Sequence, residues 1–229
     1  MWQAIHEELG PEGLAVITVA IDRSSDDPRP FIESAGATHP SLVDTEHRVA
    51  DLYNMVNVPT VLWIDEDGRI VRPQDVHYVS NELASITNFH NRKPLAALRA
   101  WVRGEAPAYP GDVVADTKVA DDVHQEARAA FALGWWLAQD GRTEAAERWF
   151  VRAGELAPHD FTIRRGSMPI RGIDPMGPAF FEMAGEWAAK GNAYYLPLPD
   201  TATGPDDYEA EPIEPFDLEA FGRRVAEGR

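Results

Sequence analysis

The stretch VPTVLWIDEDGRIV, residues 58–71, contains the clearest structural pattern in this chain. Its first half, residues 58–64, is apolar, β-branched and aromatic with a proline near its start, which predicts a strand. An acidic turn at residues 65–68 ends in glycine and leads into a second apolar run at residues 69–71. Two apolar runs joined by such a turn predict an antiparallel hairpin.

The residues around this hairpin predict a further strand and several helices. Residues 14–21, LAVITVAI, form a continuous β-branched run, which predicts a strand buried on both faces as in a parallel sheet. Helical spacing of apolar residues predicts helices in the regions 2–9, 26–36, 46–53 and, with an interruption at its proline, 81–103. The expected fold class is therefore α/β, with helices flanking a mixed sheet.

The second half of the chain predicts a small all-α domain followed by a tail. Residues 104–116 are rich in glycine and proline, which indicates a linker. Residues 117–191 carry helical spacing and predict a helical domain, with a first helix from residue 119 to a stop at Gly141 and further helices over residues 143–156 and 178–190. Residues 192–229 form an acidic, proline-rich tail with one apolar run at residues 194–198 and a candidate short helix at residues 217–226.

Composition excludes several classes of function. The formal net charge is −17, with 38 acidic against 21 basic side chains, which argues against nucleic-acid and anionic membrane partners because both require clustered Lys and Arg. The chain has no cysteine, so the polypeptide as written has no disulfide, thiolate ligand or thiol catalysis and no catalytic residue is assigned to it. The seven histidines match no metal-ligand spacing, so neither a metal site nor a cofactor is expected.

Hydropathy and the N-terminal residues predict a cytoplasmic protein. The longest apolar stretch, residues 14–21, is far shorter than the roughly 20 residues that span a bilayer. The start of the sequence has no basic region of the kind that begins a secretory signal.

Three segments, LAVITVAID, ADLYNMVN and VPTVLWIDEDGRIV, together with the order of predicted elements, resemble the thioredoxin-like fold in its TlpA and ResA-type branch. The resemblance covers residues 1–103 and implies a thiol-disulfide or peroxide-reducing oxidoreductase, whose partner would be a protein disulfide or a peroxide. It places Val58, Pro59 and Thr60 at the family's substrate-binding triplet. There Pro59 would be cis, and Val58 would offer backbone hydrogen bonds to an extended substrate. An ordinary trans proline that opens a strand is the alternative for Pro59.

Two parts that the resemblance requires are missing from this sequence. The family has a Cys-x-x-Cys motif at the start of the first helix, which would lie within about ten residues before Met1. It also has a strand before that motif, in the middle of the sheet between the strands predicted at 14–21 and 58–64. Without that strand, both neighbours would lose backbone partners in a buried sheet, which is costly.

Two explanations for this gap stay open. A longer gene product would supply the strand together with a cysteine, or with a selenocysteine encoded by a stop codon. Alternatively, the chain is a redox-inactive binding or scaffold protein, in which residues 194–198 or a partner chain fill the gap.

Residues 127–160 resemble a single tetratricopeptide repeat. The matching positions are Leu133, Gly134 and Leu137 on the first helix and Ala146, Phe150, Ala153 and Pro158 on or after the second. The resemblance implies a protein or peptide partner for this domain. Because no second repeat is found, a helical hairpin that merely packs on its neighbours is the alternative.

Residues 161–177, FTIRRGSMPIRGIDPMG, are unusual in a chain this acidic, because they contain Arg164, Arg165 and Arg171. Guanidinium groups bind carboxylates and other anions in a forked geometry, so these arginines predict an anion-binding or partner-binding loop. The alternative is that they pair with the surplus acidic residues of the neighbouring domain.

Overall fold

The computed structural model describes residues 2–76, 80–82 and 84–217. The helix predicted at residues 217–226 lies outside the described residues except for its first position. The described residues form an α/β structure in which helices surround two small sheets. No helix within them is long and apolar enough to cross a membrane.

The first half of the chain alternates short strands with helices. Its helices are α1 (Trp2–Leu9), α2 (Arg29–Ser34), α3 (Arg48–Leu52), α4 (Ala84–Thr87) and α5 (Arg92–Val102). Its strands are β1 (Thr18–Ala20), β2 (Ser41–Val43), β3 (Val61–Ile64) and β4 (Ile70–Asp75). The second half is helical, with α6 (Val113–Asp116), α7 (Asp122–Gln139), α8 (Thr143–Leu156), α9 (Phe161–Arg164), α10 (Pro178–Ala189) and α11 (Pro205–Ala210).

The predicted hairpin is confirmed as the antiparallel pair β3–β4. In its turn, the Asp65 carboxylate accepts hydrogen bonds from the backbone N–H groups of Asp67 (3.0 Å) and Arg69 (2.8 Å). Gly68 has a φ of 79°, a left-handed conformation that glycine adopts without steric cost. The acidic turn therefore fixes the hairpin through its own side chain and its final glycine.

β1 pairs in parallel with β2, which the sequence analysis did not predict as a strand. Within the described residues, β1 and β3 share no ladder, so each is paired on one side alone. Both lie over the same helical layer, because Val16 beside β1 and Trp63 of β3 pack in one core cluster with residues of α1 and α5, among them Ile5, Leu9 and Leu98. The two sheets thus sit over a common core, each with an unpaired edge.

Two expectations about this region are wrong. The run 14–21 is not buried on both faces: its strand is only three residues long and Ile17 is 60% exposed, because no described segment covers that side. Residues 194–198 do not fill the gap as a strand. The Asn57 side chain donates to the Tyr194 carbonyl, and the Leu198 N–H donates to the Asp75 carboxylate. These bonds hold the run against the end of the sheet instead.

The predicted interruption of the helix at 81–103 lies before its proline. The chain leaves α4 at Thr87, passes through Asn88 with a φ of 53°, and re-enters a helix at Arg92. Pro94 therefore sits in the first turn of α5, where its missing N–H breaks no helical hydrogen bond.

α7 and α8 form a closely packed hairpin, and α8 has the bounds that the sequence predicts. A methyl group at Gly134 would lie 2.9 Å from the Phe150 ring, so glycine permits the close approach of the two helices. Of the repeat-like positions, Leu137, Ala146, Phe150 and Ala153 are buried with Gly134, whereas Leu133 is 37% exposed.

The linker and tail pack along the sheet half. Ala108 in the predicted linker is buried in the sheet core. The buried guanidinium of Arg72 in β4 donates to the Ala108 carbonyl (3.0 Å) and to both carboxylate oxygens of Asp200 (2.8 and 2.9 Å). The acidic tail is thereby attached to the sheet through a buried arginine.

We predict that Gly134→Ala destabilises the protein by about 1–3 kcal/mol, because the added methyl group overpacks the contact with Phe150. Gly185→Ala in α10 is the matched control, since a methyl group there meets no atom within 4 Å. It should leave stability unchanged or raise it by up to about 1 kcal/mol through helix propensity. Urea unfolding of both variants measures the difference, and equal midpoints would contradict the packing argument.

Candidate functional site

A cavity of about 360 Å³ lies where β1 ends and the chain approaches β3. One wall is formed by residues 19–23 at the carboxyl end of β1, and another by Asn57 and Val58. The helical half closes it with residues from α9 and the following loop, including Phe161, Thr162, Arg165 and Gly166. A strand placed between β1 and β3 and parallel to β1 would direct its carboxyl end into this cavity.

Of the triplet singled out by the sequence, Val58 lines this cavity, and Pro59 and Thr60 follow it in the chain. The Val58–Pro59 peptide bond is cis, and Val58 is 51% exposed. The Val58 N–H donates to the Asn57 side-chain oxygen (2.8 Å), and the Val58 carbonyl accepts from the Tyr195 hydroxyl (3.0 Å). The Thr60 hydroxyl donates to the Asn57 carbonyl (2.7 Å). Both backbone groups of Val58 are therefore engaged within the chain.

His47 is a cavity residue that the sequence analysis missed. It is 4% exposed, and its Nδ1 has no hydrogen-bond partner in the described part of the chain. The ring packs against Phe131 (4.9 Å between centroids) and Trp135 (5.8 Å) of α7. Burial lowers the pKa of His47 to about 4, so the imidazole is neutral at neutral pH. Its sequence neighbours, Glu46 and Arg48, are charged, so no local pattern signals its burial.

Asp22, two residues after the end of β1, brings a carboxyl group to the cavity. Burial, with a contribution from the nearby charge of Asp27, raises the pKa of Asp22. Arg23 pairs with Asp27 (3.0 Å). The cavity thus contains a neutral imidazole and a carboxyl group that keeps its proton to a higher pH than usual.

The three arginines of the predicted anion-binding loop have separate partners. Arg164 donates to the Pro158 carbonyl (2.9 Å), and burial lowers its pKa. Arg165 donates to the Pro175 carbonyl (3.0 Å) and lies 4.4 Å above the Phe180 ring. Arg171 forms a two-pronged ion pair with Glu147 of α8, at 2.7 Å for both contacts. Of the three, Arg165 is the one that lines the cavity.

A buried carboxylate positions the helical wall of the cavity. Asp160, at the start of α9, is fully buried and lies 2.7 Å from His124 Nε2. It also accepts hydrogen bonds from the Thr162 N–H (2.9 Å) and hydroxyl (2.5 Å). Burial alone would raise the pKa of Asp160, but the bonds from His124 and Thr162 and the charge of Arg128 lower it overall.

Arg128 connects this buried network to the sheet half of the chain. Its guanidinium donates to the carbonyls of Ala50 (3.0 Å) and Asp51 (2.7 Å) at the end of α3. Beside it, the Phe161 N–H donates to the Val56 carbonyl (2.7 Å), shortly before the cis bond. The cavity wall and the Val58 region are therefore held in one hydrogen-bonded unit. Within the described residues, no group of three or more His, Asp or Glu side chains could hold a metal ion.

Stability should depend on pH through His47. The folded state binds this proton only near pH 4, whereas an ordinary histidine in the unfolded chain binds it below about 6.5. Acid therefore favours unfolding, and between pH 6.5 and 4 the free energy of unfolding should fall by up to about 3 kcal/mol from this group. His47→Asn should remove this part of the decrease in the free energy of unfolding, because asparagine does not titrate. Asparagine also tolerates the left-handed backbone conformation at position 47. Urea unfolding at several pH values tests this, and parallel curves for both proteins would refute it.

Asp160→Asn should destabilise the protein by about 3 kcal/mol, because it removes the charge that compensates buried Arg128 and leaves a hydrogen-bond network incomplete. The control is Glu126→Gln, which breaks an exposed ion pair with Arg152 on the same helix pair. That change should cost less than about 1 kcal/mol. Thermal unfolding of the two variants compares them, and similar losses would contradict the role given to Asp160.

Comparison of the chain with protein-family models, with curated proteins and with solved structures finds no match in any of the three.

Proposed function

We propose that this chain is the platform of a thioredoxin-like, TlpA/ResA-type oxidoreductase that reduces disulfides or peroxides. In this proposal, the nucleophilic cysteine or selenocysteine lies on a further segment that adds one strand to the sheet. The observation that carries the proposal is that, within the described residues, β1 and β3 are each paired on one side alone, with the cavity lying where β1 ends and just before β3 begins.

The chemistry of the edges favours a strand as the missing element. Unpaired backbone N–H and C=O groups at the edge of a sheet recruit a further strand, and a strand between β1 and β3 would complete both ladders at once. Apolar side chains also stand exposed on these strands, with Ile17 beside β1 at 60% and Ile64 of β3 at 44%. A strand in this position would bury part of that apolar surface.

The proposal gives Pro59 and Val58 roles in binding the substrate. A thiolate or selenolate at the carboxyl end of the added strand would attack one sulfur of a substrate disulfide, forming a mixed disulfide and releasing the other sulfur as a thiolate. Pro59 would shape the groove for the substrate, and the Val58 carbonyl would bind the substrate in place of the Tyr195 hydroxyl. The released thiolate would take up its proton from solvent, because the His47 imidazole is neutral at neutral pH.

Insulin reduction and peroxidase assays test the proposal on two proteins, the 229-residue chain and a form extended by the residues encoded upstream. We expect activity in the extended form alone, because the chain has no cysteine. Replacement of the upstream nucleophile by serine is the matched control and should abolish activity. Upstream DNA without an in-frame strand and a Cys or UGA codon, or an inactive extended form, would overturn the proposal.

The second candidate is a redox-inactive protein that binds peptides. It is favoured by the engagement of the Val58 carbonyl by Tyr195, which shows that an extended segment fits beside this residue. Inactivity of both forms, together with peptide binding at this position, would support it over the oxidoreductase.

A further inference from the structure

We propose that residues 192–201, here called the strap, occupy the surface formed by Asn57 and Val58 beside the cis bond, here called the groove, as an internal competitor of the substrate. The groove would then accept an extended peptide with an aromatic side chain, and such a peptide must displace the strap. The identification of this groove as a substrate site rests on the proposed function, whereas the occupation by the strap does not.

The strap contacts the groove in the manner of a bound peptide. Asn57 donates from its side chain to the Tyr194 carbonyl (2.7 Å), so it binds the strap's backbone. The Tyr195 hydroxyl donates to the Val58 carbonyl (3.0 Å), so an aromatic side chain takes the backbone acceptor next to the cis bond. These two bonds engage one backbone group and one side chain of consecutive strap residues, as in the recognition of an extended segment.

The strap is anchored more firmly at its end than over the groove. Beyond the groove, the Leu198 N–H and the Thr201 hydroxyl both donate to Asp75 (3.1 and 3.0 Å), and Asp200 pairs with Arg72. Asp75 and Arg72 are 4% and 1% exposed, so this anchor is buried. Over the groove, Leu196 is 62% exposed. Tyr194 packs on the Phe161 ring (4.3 Å between centroids) on the other side, so the segment that can lift while both anchors stay in place is residues 195–197.

Tethering explains why the strap would compete well despite few contacts. A segment attached to the same chain is present at an effective concentration of about a millimolar or more, so a free peptide of equal affinity fills the groove only at similar concentrations. Weakening the strap at Tyr195 leaves Asn57 and Val58 unchanged and should expose the groove to a free peptide.

The test uses a fluorescent peptide with the strap's own sequence, NAYYLPLPDT, titrated into three full-length proteins. Tyr195→Ala should bind it at least about tenfold more tightly than the wild type, because the internal competitor has lost its hydroxyl and ring. Tyr208→Ala is the matched control, since Tyr208 lies elsewhere on the tail and its hydroxyl donates to the Asn88 side chain (2.6 Å). It should bind like the wild type. A peptide with phenylalanine in place of its second tyrosine should bind Tyr195→Ala several-fold more weakly.

Hydrogen–deuterium exchange shows separately whether Tyr195→Ala has released the strap. If residues 195–197 exchange faster in Tyr195→Ala than in the wild type and the peptide still does not bind, the proposal is wrong. Equal binding by wild type and variant would overturn it as well.

In the extended form, Tyr195→Ala should raise kcat/KM for a peptide disulfide and leave that for hydrogen peroxide unchanged. If the peptide binds but the extended form is inactive, only the oxidoreductase proposal is refuted. If the extended form is active but Tyr195→Ala does not raise kcat/KM for the peptide disulfide, only the proposal that the strap competes with substrate is refuted.

Discussion

The fully buried carboxylate of Asp160 is the interaction on which the arrangement of the two halves depends. It lies between His124 of α7 and the start of α9, and it compensates the buried charge of Arg128, which reaches the carbonyls at the end of α3. A buried guanidinium and a buried carboxylate are each unfavourable alone, so each stabilises the fold only while the other is present. The cavity beside Val58 exists because this network holds a helical wall against the end of β1 and the residues before β3.

The unpaired edges of β1 and β3 are the feature on which the proposed function depends. A protein that leaves two strand edges unpaired usually protects them with charges, prolines or covering segments. Here the described residues place a cavity and a tail segment at one end of those edges, and leave apolar side chains such as Ile17 uncovered. This combination is the one that the proposed function requires, because an added strand would need both a free edge and apolar surface to cover.

Local patterns predicted the local structure well. The hairpin over residues 58–71 and helix α8 follow from turn chemistry and apolar spacing, both of which act within a few residues. The run 14–21 was misjudged because its composition matches a central strand, whereas its burial depends on a neighbour that the described residues do not supply. β2 is three residues long, too short for a recognisable period.

The site residues were harder to predict, because their partners are remote in the sequence. His47 gains its burial from α7, and Tyr195 meets Val58 across 137 positions. No periodicity connects such pairs. The triplet at 58–60 was accessible through the family resemblance, supported by a proline at the head of an apolar strand, which is unusual in itself.

The ion pair between Arg72 and Asp200 also bears on the order in which this chain folds during synthesis. The ribosome makes the N-terminal residues first. The guanidinium in β4 must therefore wait for a carboxylate 128 residues further on before its second ion pair can form. A nascent chain that has completed the hairpin still holds a cation whose burial is only partly compensated, so β4 reaches its final packing late, when nearly the whole protein has left the exit tunnel.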